Sequence, residues 1–176
     1  MKENYGKKLS YLLRHDNDAL KQGKIDRYGW REVSELISEH GYSPELIDEI
    51  VRTNDKKRYE YNSDKTKIRA RQGHSINVDV ELKQCVPPYI LYHGTSESAL
   101  KYIYELGIIK CKRLFVHLSK DKETALKVGS RYGKPHVLII DAKRMHDDGI
   151  AFYLSNNGVW LTDYVNPKYI IKKEKD

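Results

Sequence analysis

The sequence has few of the residues from which metal centres and disulfide frameworks are built. Its 176 residues include only two cysteines, Cys85 and Cys111, and these form no C-x-x-C pair. No histidines stand at the spacing of a zinc site, so we expect no metal, and two isolated thiols are typical of a reducing cytosol. No apolar run approaches the length of a membrane-spanning helix, and the first eight residues lack the apolar segment of a secretion signal. We therefore expect a soluble, cytoplasmic protein with no membrane partner.

The common nucleotide-binding signatures are absent as well. The chain contains neither G-x-G-x-x-G nor G-x-x-x-x-G-K-[ST], which excludes a Rossmann dinucleotide site and a P-loop. It also lacks internal repeats and low-complexity runs, which excludes a solenoid or a disordered tract. What the sequence does contain is charge of one sign. A net charge of +7 on a chain that is 39% hydrophobic indicates a globular protein and favours a polyanionic partner.

The first half of the chain is predicted to contain three helices followed by a β-hairpin. Apolar residues recur at helical spacing within residues 5–14 and 31–40, and Ser43-Pro44-Glu45 is a strong start for a third helix. Two short strand candidates, 58–61 and 67–71, flank a segment rich in turn residues. This order is that of a winged-helix module, a fold that commonly binds nucleic acid, although the analogy is one of fold alone.

Two consecutive prolines separate this half from a second half that is rich in strands. Pro87-Pro88 ends regular structure and favours an extended connector, so we predict lobes over residues 1–86 and 89–176. In the second lobe we expect 94–96 to form a turn that caps a helix, and Ser119 to cap another. The predicted strands lie at 89–93, 114–118, 137–140, 159–161 and 169–171. The expected fold class is α+β.

Residues 68–75, Ile-Arg-Ala-Arg-Gln-Gly-His-Ser, concentrate hydrogen-bond donors and contain no carboxylate. On a strand, Arg69 and Arg71 would point to the same face. Two guanidinium groups on one face suit a cluster of anionic oxygens such as a phosphate. The alternative is a solvent-exposed strand that runs into a glycine turn, and the residue types alone do not decide between the two.

Other segments place histidine or arginine where an element ends. Arg14 and His15 end the first helix, where the helix macrodipole favours cations without any further function. His93-Gly94-Thr95 ends a strand, and its glycine would let a ligand approach the main chain. His117-Leu118-Ser119 repeats that pattern, and Arg131 lies in a turn flanked by glycines. Each segment alone has an ordinary structural explanation, so any functional meaning lies in the combination.

A set of segments closely resembles, in the same chain order, the NAD-dependent RNA 2′-phosphotransferases, the KptA family. The segments are Leu13-Arg14-His15, Asp26 to Gly29-Trp30, residues 68–75, His93-Gly94-Thr95, His117-Leu118-Ser119 and Asn157-Gly158-Val159-Trp160-Leu161. The resemblance covers essentially the whole chain, and the run Arg-Ala-x-Gln-Gly-His-Ser is its most specific element. It implies a winged-helix-like RNA-binding lobe over 1–86 and a lobe of the ADP-ribosyltransferase fold over 89–176. The chain departs from the family at Tyr132, where members often have histidine after the arginine.

The resemblance implies a two-step reaction that consumes NAD⁺. An internal RNA 2′-phosphate, as at a tRNA splice junction, attacks the nicotinamide-bearing ribose carbon and releases nicotinamide. The ribose 2″-hydroxyl of this ADP-ribosylated RNA then attacks the phosphate, which gives 2′-hydroxyl RNA and ADP-ribose 1″,2″-cyclic phosphate. We expect a monomer. The implied residues are catalytic Arg14, His15, Arg69 and Arg131, NAD-binding His93, Gly94, Thr95, His117, Ser119 and Val159, and RNA phosphate-binding Arg71, Gln72, His74 and Ser75.

The residue types suit this chemistry. The second pKa of a phosphate monoester is about 6, so the nucleophile is already largely a dianion at neutral pH and needs no general base. Accordingly, Val159 aligns with the glutamate of protein-modifying ADP-ribosyltransferases. Two alternatives stay open at this point. One is an ADP-ribosyltransferase that modifies nucleic-acid 5′-phosphate ends or protein in a single step, and the other is a non-catalytic winged-helix RNA-binding protein.

Overall fold

A computed structural model describes residues 2–171. The chain divides into two compact units, the first ending at Glu81 and the second beginning at Leu82. Each unit has its own cluster of buried apolar side chains. The functions predicted for lobes 1–86 and 89–176 stay predictions, and residues 1 and 172–176 of those lobes lie outside the described part of the chain.

Between residues 2 and 81, the first unit combines four helices with a three-stranded antiparallel sheet. The elements are α1 (Lys2–Arg14), α2 (Asn17–Lys21), β1 (Arg31–Glu32), α3 (Val33–His40), α4 (Pro44–Thr53), β2 (Tyr59–Tyr61) and β3 (Lys67–Ala70). Strand β3 lies between β1 and β2. The predicted helices over 5–14 and from Ser43 and the hairpin are confirmed, and the helix predicted over 31–40 begins only at Val33, because Arg31 and Glu32 pair with β3 as strand β1. Ser43 caps α4 by accepting a hydrogen bond from the Leu46 amide. The short helix α2 was not predicted, and it begins where the Asp16 side chain accepts from the Ala19 amide.

Leucine and isoleucine side chains hold these helices against the sheet. Leu9 and Leu13 of α1 are fully buried together with Leu36 of α3, Ile47 of α4 and Ile68 of β3. Leu9 and Leu13 are one helical turn apart and therefore point to the same side of α1. Burying each such side chain stabilises the fold by roughly 1.5–3 kcal/mol. The core thereby fixes α1 against β3, the two elements that carry the arginines of interest.

The second unit, over residues 82–171, is built from short strands in three small antiparallel sheets. Its elements are β4 (Ile90–Ser96), α5 (Leu100–Leu106), β5 (Ile108–Ile109), β6 (Val116–Leu118), α6 (Lys122–Gly129), β7 (Pro135–Asp141), α7 (Ala142–Asp147), β8 (Tyr153–Leu154), β9 (Trp160–Thr162), β10 (Tyr164–Val165) and β11 (Ile170–Ile171). The strand orders are β11–β7–β4, β6–β9–β8 and β10–β5. Helices and small antiparallel sheets in both units agree with the predicted α+β class. None of the helices in the described part of the chain has the length and apolarity needed to cross a bilayer.

Two local predictions in the second unit are wrong. Residues 94–96 do not form a turn, because they continue β4 and pair with 135–137 of β7. Ser119 does not cap α6, because its amide and carbonyl both bond to the Tyr92 backbone, which keeps it extended. Asp121 caps the helix instead, with its Oδ1 accepting from the Thr124 amide at 2.7 Å.

Candidate functional site

Arg69 of β3 is held from several sides by other groups of the first unit. Its side chain is nearly buried, with 8% of its surface exposed. Its Nε donates to Glu60 Oε1 at 2.7 Å, and its Nη1 donates to Glu81 Oε2 at 3.0 Å and to the Tyr28 carbonyl at 3.2 Å. The guanidinium also lies over the Trp30 ring, 4.3 Å from its centroid. Charge-assisted hydrogen bonds and stacking therefore fix the orientation of this arginine.

Glu60 also contacts Arg71, which directly follows β3. The Nε of Arg71 lies 3.2 Å from Glu60 Oε2, so one carboxylate spans both guanidinium groups. Glu60 and Arg69 are direct partners in the β2–β3 ladder. Both arginines thus reach the same carboxylate, as their spacing of two along the strand predicts. The shared carboxylate sets the distance between the two cations and offsets part of their charge.

The segment after β3 folds back onto the C-terminal end of α1. The Ser75 amide donates to the Arg14 carbonyl at 3.0 Å, and Ser75 Oγ lies 2.8 Å from His15 Nδ1. The guanidinium of Arg14 lies alongside Gly73, where a Cβ would come within 3.6 Å of its Cζ. Gly73 has φ of +89°, a conformation that favours glycine. Helix end and loop therefore form one cluster of donors, in which Gln72 is half-buried.

His74 lies in the interior beneath this cluster and is only 1% exposed. Burial, with further Coulombic contributions from Arg14, His15 and Arg69, lowers the pKa of His74 to about 3. The imidazole is therefore neutral at physiological pH. Its Nε2 has no hydrogen-bond partner among the described residues. RNA binding by His74 stays a prediction.

In the second unit, the segments predicted to bind NAD⁺ lie on adjacent backbone. His93 Nδ1 lies 3.1 Å from the carbonyl oxygen of His117. Because a carbonyl can only accept, Nδ1 carries the proton in this bond, and Nε2 of the neutral ring is left as an acceptor. Burial lowers the pKa of His93, and the cation of Arg113 lowers it further against the opposing effect of the His117 hydrogen bond. His93 is therefore neutral at physiological pH and presents a lone pair.

Ser119 and Val159 lie at the same end of the β6–β9 ladder. In that ladder Leu118 is opposite Trp160, and the strands are antiparallel. Ser119 directly follows Leu118, and Val159 directly precedes Trp160. Since Ser119 also bridges to Tyr92 of β4, the structure brings these predicted NAD-binding residues to neighbouring positions beside β4.

Gly94 allows helix α6 to pack directly on β4. A Cβ at Gly94 would lie 1.7 Å from the Ala125 carbonyl oxygen, and a Cβ at Gly129 would lie 2.6 Å from the Thr95 carbonyl oxygen. We expected this glycine to open the main chain to a ligand, but the space beside it is occupied by the helix. Glycine is required here for packing, and cofactor binding by Gly94 and Thr95 stays a prediction.

Arg131 differs from Arg69 in its surroundings. It lies in a 3-10 turn, Ser130–Tyr132, between α6 and β7, and its side chain is exposed. Its guanidinium forms no hydrogen bond or ion pair with the residues whose side chains the structure describes, 4–171. Five donors of a permanent cation are therefore available to an anionic ligand.

Three residues near these predicted sites were not identified from the sequence. They are Glu60 and Glu81, which bind Arg69, and Arg113, whose Nη1 lies 2.9 Å from His117 Nδ1. The predicted strands 58–61 and 67–71 differ in length by one residue, so the hairpin prediction leaves residue 60 opposite either residue 68 or residue 69, and the structure has the second of these pairings. Glu81 and Arg113 lie in irregular segments, and no local pattern indicates their contacts.

One group of described residues has the spacing of metal ligands, namely Glu35, Glu39 and His40. Arginine and lysine side chains already pair with both carboxylates of this group. Arg31 binds Glu35 through Nε and Nη2 at 2.5 and 2.7 Å, and Lys24 pairs with Glu39. The buried Arg31 also donates to Asp16 at 2.8 Å. These contacts indicate a structural ion-pair network.

Comparison with known proteins gives one consistent result. A family model described as "RNA 2′-phosphotransferase, Tpt1 / KptA family" matches residues 1–164. A protein of Flavobacterium johnsoniae named "Probable RNA 2′-phosphotransferase" is 49% identical over 97% of this chain and 98% of its own length. Proteins with the same name from Acaryochloris marina and Fusobacterium nucleatum are 46% and 48% identical, over 94% of this chain and 94% and 95% of their own lengths.

Proposed function

Because the chain belongs to the RNA 2′-phosphotransferase (Tpt1/KptA) family, we propose that it removes an internal 2′-phosphate from RNA by transferring it to NAD⁺. The products are 2′-hydroxyl RNA, nicotinamide and ADP-ribose 1″,2″-cyclic phosphate. In this proposal the first unit is a winged-helix-like RNA lobe, and the second is an NAD-binding lobe of the ADP-ribosyltransferase fold. The RNA is of the tRNA splice-junction type.

The observation that carries the proposal is the donor cluster of the first unit. Arg14 and His15 end one helix, and hydrogen bonds tie them to the segment that follows Arg69 and Arg71. Guanidinium, imidazole and hydroxyl groups at one place match the three oxygens of a phosphate monoester. Since Glu60 already holds the arginine pair, little further ordering is needed when the phosphate arrives, and this favours an oriented nucleophile.

The second unit supplies groups that fit a dinucleotide. The neutral His93 presents Nε2 as an acceptor, which suits a ribose hydroxyl donor. Arg131 offers exposed donors to a developing or transferred negative charge. Among the predicted NAD-binding residues, Val159 occupies the place of a catalytic glutamate, which agrees with a nucleophile that is anionic before the reaction begins.

The test is a reaction with a short RNA that carries one internal 2′-phosphate, with and without NAD⁺. We expect nicotinamide, the cyclic phosphate and 2′-hydroxyl RNA only when NAD⁺ is present. The matched control is the same RNA without the 2′-phosphate, which should release no nicotinamide. A stable ADP-ribosylated RNA as the only product would identify a one-step transferase, and RNA binding without NAD⁺ consumption would identify a binding module. Either result would contradict the proposal.

A further inference from the structure

A groove of about 680 Å³ lies beside the Arg14–His15 end of α1, within the first unit. Its volume is within the range of roughly 300–1,000 Å³ that small-molecule sites occupy. One wall is a single face of α1, formed by Lys7, Ser10, Tyr11, Arg14 and His15. Lys7, Tyr11 and Arg14 are three or four residues apart and therefore lie along one side of the helix, Ser10 stands one turn before Arg14, and His15 directly follows the last helical residue. The groove thus begins at the donor cluster and continues away from it along the helix.

The opposite wall comes from α4 and from the chain that enters β2. Leu46 and Ile50 contribute apolar surface, and Arg58 contributes a cation. The Arg58 carbonyl accepts from the Arg71 amide at 2.9 Å, so this wall also leads back to the arginine pair. The groove and the donor cluster therefore form one continuous surface of the first unit.

The lining combines positive charge with an accessible aromatic ring. The lining contains three cations, Lys7, Arg14 and Arg58, and one carboxylate, Glu49. The Arg58 guanidinium makes no hydrogen bond or ion pair within the described residues. Tyr11 is 56% exposed although it lines a groove. Cations that follow a backbone and an aromatic side chain on which a base can stack are the features that single-stranded RNA requires.

We propose that this groove binds the nucleotide next to the 2′-phosphorylated one, with its base stacked on Tyr11 and its backbone phosphate at Arg58. The inference rests on the proposed function, because Arg14 and His15 belong both to the groove and to the predicted phosphate site. It adds a requirement that a phosphate site alone does not impose. The RNA beside the mark is single-stranded, and the affinity of the protein for it depends on at least one neighbouring nucleotide.

The test is a binding measurement without NAD⁺, by fluorescence anisotropy. The ligands are a ribonucleoside 2′-phosphate, used as a competitor, and two single-stranded RNAs that extend it on the 5′ side or the 3′ side. We expect Tyr11→Ala and Arg58→Ala to weaken binding of at least one extended RNA about tenfold, the loss of a typical stacking or phosphate contact. Tyr11→Phe should restore the affinity because stacking needs only the ring. Tyr102→Ala removes a tyrosine of the second unit that is 64% exposed and serves as the matched control.

Several outcomes overturn the inference. Wild-type affinity of Tyr11→Ala and Arg58→Ala for both extended RNAs would do so. An equal loss for the mononucleotide would do so as well, because it would show an effect on the phosphate site. Thermal unfolding checks that each variant is folded, and Arg58→Ala and Tyr11→Phe carry the test if Tyr11→Ala is not. If wild-type protein binds the extended RNA but consumes no NAD⁺ with it, the proposed function fails while the groove result stands.

Discussion

Arg69 and Arg131, two arginines with predicted catalytic roles, differ in burial and in ion pairing. Arg69 is nearly buried and bound by Glu60 and Glu81, whereas Arg131 is exposed and forms no ion pair with the described residues. A buried, bound arginine is oriented before a ligand arrives, whereas an exposed one loses side-chain entropy when it binds. The same substitution at the two positions should therefore have different effects on stability.

Arg69→Ala and Arg131→Ala should both slow the proposed second step about a hundredfold, the loss of roughly 3 kcal/mol of transition-state stabilisation. ADP-ribosylated RNA should accumulate in both, as a single-turnover experiment would show. Only Arg69→Ala should lower the free energy of unfolding, because it removes the nearer of the two cations that compensate the half-buried Glu60 carboxylate. Arg144→Ala, an exposed arginine of α7, is the control. Wild-type turnover in either variant would count against the catalytic assignment.

Glu60→Gln tests whether the shared carboxylate positions the arginine pair. Glutamine keeps the shape of the side chain but weakens the bonds to Arg69 and Arg71. We expect turnover to fall about tenfold through looser orientation. The affinity for 2′-phosphorylated RNA should not fall, because the cluster becomes more positive. Glu81→Gln, at a carboxylate that is 57% exposed, should have a smaller effect. Separate measurement of kcat and KM decides, and an unchanged kcat in Glu60→Gln excludes this role.

At the scale of elements, the close packing of α6 on β4 depends on glycine at two positions. Gly94→Ala would place a methyl group 1.7 Å from the Ala125 carbonyl oxygen, so the helix would have to shift. We expect a loss of about 1–3 kcal/mol in the free energy of unfolding, as overpacking of a core typically costs. Gly6→Ala is the matched control, since a Cβ there meets nothing within 4 Å and alanine favours a helix. Equal stability of the two variants in urea unfolding would refute the packing explanation.

The longer elements could be predicted from the sequence, and the shortest could not. Helices α1 and α4 have clear apolar periodicity, and Ser43 is a strong cap signal. Helix α2 has five residues and β1 has two, which is too short for any period to show. The cap at Asp121 was missed because Ser119 is extended by a backbone pairing with Tyr92, which is distant in sequence.

The sequence predicted which residue types form the candidate site, but not the groups that hold those residues in place. Short motifs marked Arg14, Arg69 and His93. The carboxylates that hold Arg69 and the carbonyl that fixes the proton of His93 come from other segments of the chain. Such contacts depend on the fold, and of these groups only Glu60 stands in a hairpin that the sequence predicted, with a register open by one residue.

At the scale of the whole molecule, buried neutral histidines make stability depend on pH. The pKa of His74 is lowered by burial from 6.5 to about 3. The unfolded chain therefore takes up a proton below pH 6.5 that the folded chain does not. The contribution of His74 to the free energy of unfolding is fully present above pH 6.5 and is lost as the pH falls towards 3.

We expect the free energy of unfolding of wild-type protein to decrease between pH 7 and pH 5. The contribution of His74 has a limiting slope of about 1.4 kcal/mol per pH unit. His74→Asn should show a shallower decrease, and His93, whose pKa burial also lowers, should account for part of what remains. Urea unfolding of both proteins at the two pH values measures the difference. Parallel pH profiles would show that His74 is not neutral in the folded protein.

The carboxylates around the arginine pair have a consequence for the ions that surround the protein. The net charge of +7 suggests that RNA binding should release many small anions from the protein surface into solution. Arg69 and Arg71, however, already have a counterion within the protein in Glu60, so a phosphate that binds them displaces fewer chloride ions from their surroundings. Because counterion release sets the salt dependence of binding, RNA affinity should fall less steeply with salt than the net charge alone implies. The protein would then hold its substrate over a wide range of ionic strength.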